Sequence, residues 1–300
     1  MAELIIGDHN WTSHTQPQVI DGEVKSMGLI PRDFSAVPVG SIPGVKLFPF
    51  QPIPRSEFKE RIAEQLQAKR RNSDFRRKGN KGNIMPSLDQ NGQGFCWRYS
   101  IAMATMVQRA IRGLPYVRLS AHVGVCIVKN FRDEGGWCGL GLKNQIEFGC
   151  PSVEFWPEKS MSRSNDTPAM RANAALYKVT EGLWDFNLPD WGQKLSFEYD
   201  VTARLLNFVI AEDYSWWSHS VCGLDIIDGE TQRTVTRAES GKILDLPTFD
   251  IVWGMNNPVT QGLGKRDINS WTDSYGDMGE FILTGNKAIA DGAVAIGVSG

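Results

Sequence analysis

An α+β fold is predicted by two changes of text along the chain. Between residues 95 and 148, apolar residues recur at three- and four-residue steps, the helical period. From about residue 195, short runs rich in aromatic and β-branched residues alternate with Gly, Asp and Asn turns. Helices gathered in one half and strands in the other make an α+β arrangement, with a cleft expected between the halves. The 300 residues, 41% hydrophobic and 22% charged, suit one or two globular domains with a sizeable core.

The elements follow in order. Residues 1–55 are punctuated by Pro and Gly, as in Val37-Pro38-Val39-Gly40 and Ile42-Pro43-Gly44. Proline blocks helix interiors and biases its predecessor to extended backbone, so this stretch reads as an extended arm. Ser56 reads as the cap of a helix with Phe58, Ile62 and Leu66 on one face, ending near Lys69-Arg70-Arg71. The strongest helix opens at Phe95-Cys96 and runs to Arg112, with Gly113 as its stop. A second is expected after Ser120, through Val123, Ile127 and Phe131, and a third over Leu140–Phe148. Strands are expected at Leu195–Tyr199, Ser218–Ile227, Phe249–Trp253 and Glu280–Thr284. The Gly/Ala-rich text from 286 to 300 reads as a tail.

Composition removes several function classes. Lys plus Arg total 32 and Asp plus Glu 34, so the chain lacks the basic field of a dedicated nucleic-acid binder. No apolar run reaches the roughly 18 residues of a membrane span. The first ten residues lack the basic and long apolar regions of a signal peptide. Five Cys is an odd and modest count, which points to free thiols in a reducing compartment. The chain is therefore expected in the cytoplasm, or in a particle assembled there. A metal site from His122, Cys126, Cys138 and Cys150 fits no paired-ligand spacing, and no cofactor motif is present. His9, His14 and His122 read as surface residues.

A nucleophilic cysteine needs its thiolate, and a helix N-terminus favours that anion through unpaired amides and the helix dipole. Cys96 stands at such a place, directly after Gly92-Gln93-Gly94-Phe95. The other reading is a buried structural Cys. The segment Gln90-Asn91-Gly92-Gln93-Gly94-Phe95-Cys96-Trp97 resembles the active-site segment of papain-like cysteine peptidases, and Pro86 stands ten residues before Cys96 as in that family. Asp74-Phe75-Arg76-Arg77-Lys78-Gly79 is similar to the start of the mature domain. Asn269-Ser270-Trp271, with Tyr275-Gly276 and Gly279, resembles the family's Asn-Ser-Trp segment. His219 opens a strand-like run upstream of it, and Gly135-Gly136-Trp137 resembles the Gly-Gly-aromatic wall of the substrate groove. The cysteine segment, the Gly-Gly pair, the His and the Asn stand in the family's order.

The resemblance implies a two-lobed fold with a helical lobe, an antiparallel β lobe and an active-site cleft between them. It implies Cys96 as nucleophile, His219 as its ion-pair partner and proton carrier, and Asn269 as the residue orienting the imidazole under Trp271. Gln90 would complete the oxyanion hole; Gln93 competes for that role, and family spacing favours Gln90. Gly135, Gly136, Trp137, Trp217 and Trp271 would line the substrate groove. The expected organisation is an arm with a short helix at 1–70, either prosegment-like and cut near Lys69-Arg70-Arg71 or a permanent anchor, and a catalytic domain at 71–285. That domain divides into a helical lobe at about 86–190, a β lobe at about 191–285 and an insertion at about 229–262. The tail is 286–300. Secreted members join two cysteines whose places here hold Gln93 and Asp133, in keeping with a reducing compartment.

Two functions are thereby expected. One is a cysteine peptidase or amidase acting on a peptide or protein, without cofactor, metal or membrane. The other is a papain-fold interaction protein of a larger assembly, such as a phage or viral particle, docking through residues 1–70 and 286–300. An arm lying in the groove between Gly135 and His219 would favour the latent or structural reading; an open groove would favour catalysis.

Overall fold

The computed structural model describes residues 3–78, 84–185, 194–232 and 245–298. The arm contributes β1 (Ile5–Ile6), a hairpin of β2 (Gln18–Ile20) and β3 (Glu23–Lys25), and β4 (Lys46–Leu47). Helices α1 (Phe58–Ala68) and α2 (Asn72–Lys78) follow. The helical lobe holds α3 (Cys96–Ile111), α4 (His122–Val128), α5 (Cys138–Glu147) and α6 (Pro168–Ala175). Then come β5 (Glu181–Asp185), α7 (Lys194–Leu205), β6 (Val209–Tyr214), β7 (His219–Asp228), α8 (Gly229–Gln232), α9 (Leu246–Trp253), β8 (Leu263–Ile268), β9 (Glu280–Leu283) and β10 (Gly292–Val298).

Eight strands form one sheet in the order β1-β9-β8-β7-β6-β10-β5-β4. Its interior pairs are antiparallel; β1 on β9 and β4 on β5 are parallel. Both edge strands come from the arm, which therefore supplies the two borders of the sheet. Helix α3 packs on β7, β6 and β10 and against α5. Every residue from Cys96 to Arg109 is buried, so α3 is the central element of the core and not an amphipathic surface helix. This fixes Cys96 at the junction of helix and sheet.

Three expectations are corrected. Residues 195–199 belong to α7, not to a strand. The alternation of Leu195, Phe197 and Tyr199 suggested period two. The packing partners are Phe197, Val201 and Leu205, at helical spacing, which meet Phe58 and Ile62 of α1 and Ile226 and Leu263 of the sheet. Residues 249–253 lie in α9. Asp245 accepts from the Thr248 N–H at 2.9 Å, Pro247 lies in the first turn, and Gly254 closes the helix at φ +61°. Phe249 and Trp253 dock α9 on Ile5, Ile227 and Ile282, which places this described part of the 229–262 insertion on the sheet. Residues 233–244 lie outside the described residues.

The third correction concerns the tail. Residues 292–298 are an interior strand, with β6 on one side and β5 on the other. Val294 and Ile296 face the core of α3, while Ala293 and Ala295 face Phe48, Ala203 and Ile210. Small residues suit a strand covered on both faces: a Cβ on Gly297 would lie 2.7 Å from both Phe208 and Trp184. Gly/Ala content marked close packing here, not a free end. No helix among the described residues is long and apolar enough to cross a membrane.

Beneath β6–β8, a buried ion cluster fixes the strand that leads to Asn269. Arg204 pairs with Asp200 at 2.8 Å, Asp267 at 2.9 Å and Glu212; Lys265 pairs with Asp200 and Glu212. Two cations face three carboxylates. Burial pushes the Glu212 carboxyl up, against the pull of Arg204 and Lys265, while Lys265 and Arg204 hold Asp200 low.

Candidate active site

Cys96 is the first residue of α3 and is fully buried. His219 opens β7, after Ser218 at φ +52°, and Asn269 directly follows β8. Because β7 and β8 are antiparallel neighbours, strand pairing brings these two residues together. The His219 Nε2–H donates to Asn269 Oδ1 at 2.8 Å; an amide oxygen only accepts, so Nε2 carries the proton. Asn269 Oδ1 is itself held by the Ser270 N–H at 2.7 Å. His219 Nδ1 is then left as a buried lone pair with no hydrogen-bond partner. The Trp271 ring lies 4.6 Å from the imidazole, tilted by 32°, and covers it.

Gln90 is also buried. Its Oε1 accepts from Ser270 Oγ at 2.5 Å, and its Nε2 donates to the carbonyls of Gln93 at 2.7 Å and Ser26 at 2.8 Å. Ser26 belongs to the arm. The Gln93 side chain points elsewhere, to His122, so it does not compete with Gln90. Gln93 and Asp133 both tie down the loop before Cys96: Asp133 Oδ1 accepts from the Gly94 N–H at 2.9 Å.

The groove is occupied by the arm itself. The Gly136 N–H donates to Gly28 O at 3.0 Å, and the Ile30 N–H donates to Gly136 O at 2.8 Å, a parallel bridge centred on Leu29. On the opposite wall, the Leu29 N–H donates to Ser218 O at 3.0 Å. Backbone N–H groups of Ser220 and Gly28 face the Cys96 thiol. The chain from Ser26 to Ile30 thus lies across the thiol, between Gly136 and the residue preceding His219. The fit needs glycines: a Cβ on Gly135 would meet Gly28 O at 2.3 Å, and one on Gly136 would meet the Trp97 ring at 2.7 Å.

Trp137 is half-buried and carries Arg32 of the arm over its face at 4.9 Å. Trp217 takes a different place from the expected groove wall. It is buried in a core cluster with Val221, Trp271 and Phe281, and its ring stands 5.0 Å from His219. There it supports the imidazole from behind. His14 and His122 are corrected as well: both are buried, not at the surface, and His122 is hydrogen-bonded at both ring nitrogens.

Under the arm the expected ion pair is absent. Burial pushes the Cys96 thiol up to about 11, against the lowering effect of the Ser220 and Gly28 amides. Burial pushes His219 down to about 4, against the hydrogen bond to Asn269. Both groups are neutral between these values, because a dry site penalises each charge. Asp213, which sequence reasoning missed, reinforces this. Its carboxyl accepts from the Cys138 N–H and from Ser220 Oγ at 2.5 Å, and it disfavours the nearby thiolate.

Next to the groove, the arm is fastened by charge. Lys25 is buried and pairs with Asp89 at 2.9 Å and Glu23 at 2.7 Å; Lys159 reaches Asp89 at 2.5 Å. Burial raises the Asp89 pKa, but hydrogen bonds from Lys159 and Lys25 outweigh it, so the group sits below the ordinary 3.8. A depressed carboxylate contributes stability that is present above its unfolded pKa and lost as pH falls through its folded pKa. Exchange protection of the Gly28–Ile30 amides, corrected for intrinsic rates, should therefore persist down to about pH 4 and fall below it. Asp89→Asn should weaken it already at neutral pH. Protection independent of pH in the parent and equal in the variant would remove this anchor from the account.

Comparison with known proteins bears on the fold. The chain is similar to xylellain, a cysteine protease from Xylella fastidiosa, with 14% identity and a TM-score of 0.51, over 94% of this chain and 97% of that one. It is similar to digestive procathepsin L 3 of Tenebrio molitor larval midgut at 16% identity and TM-score 0.49, covering 71% of this chain and 66% of that one. It is also similar to a recombinant stem bromelain precursor at 15% identity and TM-score 0.45, covering 98% and 76%. No protein-family model matches, and no curated protein matches in sequence. The fold is α+β and papain-like, on the match to xylellain.

Proposed function

We propose that the chain is a cysteine peptidase, or an amidase of similar chemistry, held latent by its own residues 26–30. One observation carries this reading: main-chain groups of Gly136 and Ser218 grip an extended stretch of backbone whose Gly28 amide lies beside the Cys96 thiol. A groove that binds backbone through fixed N–H and C=O groups accepts extended peptides with little regard for side chains.

When the arm leaves, water enters, the penalties on both charges fall, and the proton moves from Cys96 Sγ to His219 Nδ1. The thiolate attacks the substrate carbonyl carbon. The oxyanion meets the Cys96 backbone N–H and the Gln90 side-chain Nε2–H released by Ser26 O. His219 then gives its proton to the leaving amine, and water hydrolyses the thioester.

The interaction-protein reading draws on the arm's anchoring. Besides forming both sheet edges, the arm pairs Glu3 with Arg266 at 2.6 Å and Arg32 with Asp185 at 3.0 Å. On that reading residues 1–70 dock a larger assembly and the groove never opens. In its other proposed contact, the tail, residues 292–298 form an interior strand.

The test is turnover. The full chain with its arm unseated by Gly28→Val, incubated with denatured proteins, should generate new N-termini detectable by mass spectrometry. Adding Cys96→Ala should abolish them. New termini that persist in the Cys96→Ala chain, or none in either, would reject the peptidase reading.

A further inference from the structure

His122 forms the centre of a buried chain of hydrogen bonds beside the loop that precedes Cys96. Tyr99 lies 2.5 Å from His122 Nδ1, and Gln93 Oε1 lies 2.5 Å from Nε2. An amide oxygen only accepts, so Nε2 bears the proton; Nδ1 is then the acceptor for the Tyr99 hydroxyl. Phe95, which directly precedes Cys96, stands edge-to-face on the same imidazole at 5.0 Å. The backbone carbonyl of Gln93 in turn receives the side-chain Nε2–H of Gln90 at 2.7 Å. The next residue, Gly94, is held by Asp133. Lysine 159 and Asp89 are the charged groups that act on His122, and burial dominates both, so the ring stays neutral.

We infer that His122 is a positioning residue for the oxyanion site, fixing Gln93 so that its carbonyl aims the Gln90 amide. This rests on the peptidase reading and extends it to a residue outside the groove. The physical argument is one of entropy and direction. The segment from Gln90 to Phe95 contains two glycines and Asn91 at φ +61°, and such a segment has no helix or sheet to hold it. An amide donor stabilises a developing charge only if it is already aimed. Gln90 Nε2 donates to two carbonyls in the closed chain; when Ser26 O departs, Gln93 O stays. Ser270 Oγ holds the other end of the amide at Oε1, so the direction of Nε2 about that anchor then follows the placement of residue 93, which His122 fixes through the Gln93 side chain.

The experiment uses the full-length Gly28→Val chain with two readouts: steady-state kinetics on a peptide substrate, and amide hydrogen exchange of residues 91–95. His122→Phe keeps the ring and removes the hydrogen bonds. It should speed loop exchange and lower kcat roughly tenfold to hundredfold with KM nearly constant, since misplacement of a catalytic group by about 1 Å costs on that order. Gln93→Leu should do the same and stands in if His122→Phe does not fold. Gln93→Glu keeps an acceptor for Nε2–H and should restore both readouts to near the parent. Unchanged loop exchange in His122→Phe and Gln93→Leu overturns the inference. Faster exchange with unchanged kcat overturns it too. If the loop loosens as expected but the Gly28→Val parent itself has no Cys96-dependent turnover, His122 orders the loop only, and its oxyanion role falls with the peptidase reading; turnover in the parent with unchanged loop exchange overturns the inference alone.

Discussion

Full-length Gly28→Val should hydrolyse peptides that the parent chain leaves intact. A Cβ at residue 28 would lie 2.1 Å from Gly94 O, 2.2 Å from its C and 2.3 Å from its Cα, all backbone atoms. That backbone cannot retreat, because it opens α3 and is tied by Asp133. The arm must therefore leave. Overpacking of this kind costs about 1–3 kcal/mol, which acts here on the closed state alone. Converted at about 1.4 kcal/mol per factor of ten, the open population and the turnover rise roughly fivefold to a hundredfold. Val19→Ala, at an exposed position of the same arm, should leave turnover at the parent level. Equal turnover in the Gly28→Val chain and its parent would contradict an arm-blocked groove.

Gln90→Ala in the opened chain should lower kcat by roughly 10²–10³, the loss of about 2.7–4 kcal/mol typical of one oxyanion donor. KM should change little, because the donor acts on charge that appears only in the transition state. Alkylation of Cys96 by iodoacetamide passes through no oxyanion and should be unaffected. In the chain with its native arm, the same substitution should speed that alkylation, since Gln90 Nε2 also holds Ser26 O. A fall in alkylation equal to the fall in kcat would instead mark Gln90 as a support for the thiol.

The placement of the candidate residues was legible wherever chemistry fixes residue type at short range. Cys96 at a helix start, His219 at a strand start and Asn269-Ser270-Trp271 are local patterns, and strand pairing brings the latter two together. What the sequence hid is long-range. Gly28 is one glycine among many in the arm, and nothing local says that it lies on Gly94, 66 residues away. The His122 chain was hidden because a lone histidine carries no periodicity that distinguishes a buried network from a surface. The strand at 292–298 was hidden for the opposite reason. Small residues signal mobility in a free tail and tight packing between two covered faces, and only the neighbours Phe48 and Ala203 decide which. At 195–199 a period-two window sat inside a longer helical one, and a longer window reveals Val201 and Leu205.

The central claim is a competent Cys–His pair silenced by the chain's own arm. Intact-mass labelling with an electrophilic peptide probe tests it most directly, comparing the parent, Gly28→Val and Gly28→Val with His219→Ala. The account predicts slow labelling of the parent, fast single labelling of Gly28→Val at Cys96, and a return to slow labelling when His219 is removed. Its rate in Gly28→Val should already be high near neutral pH, well below the ordinary cysteine pKa of about 8.5. Fast labelling of the parent at Cys96, or labelling of Gly28→Val that is spread over the five thiols and indifferent to His219, would contradict it.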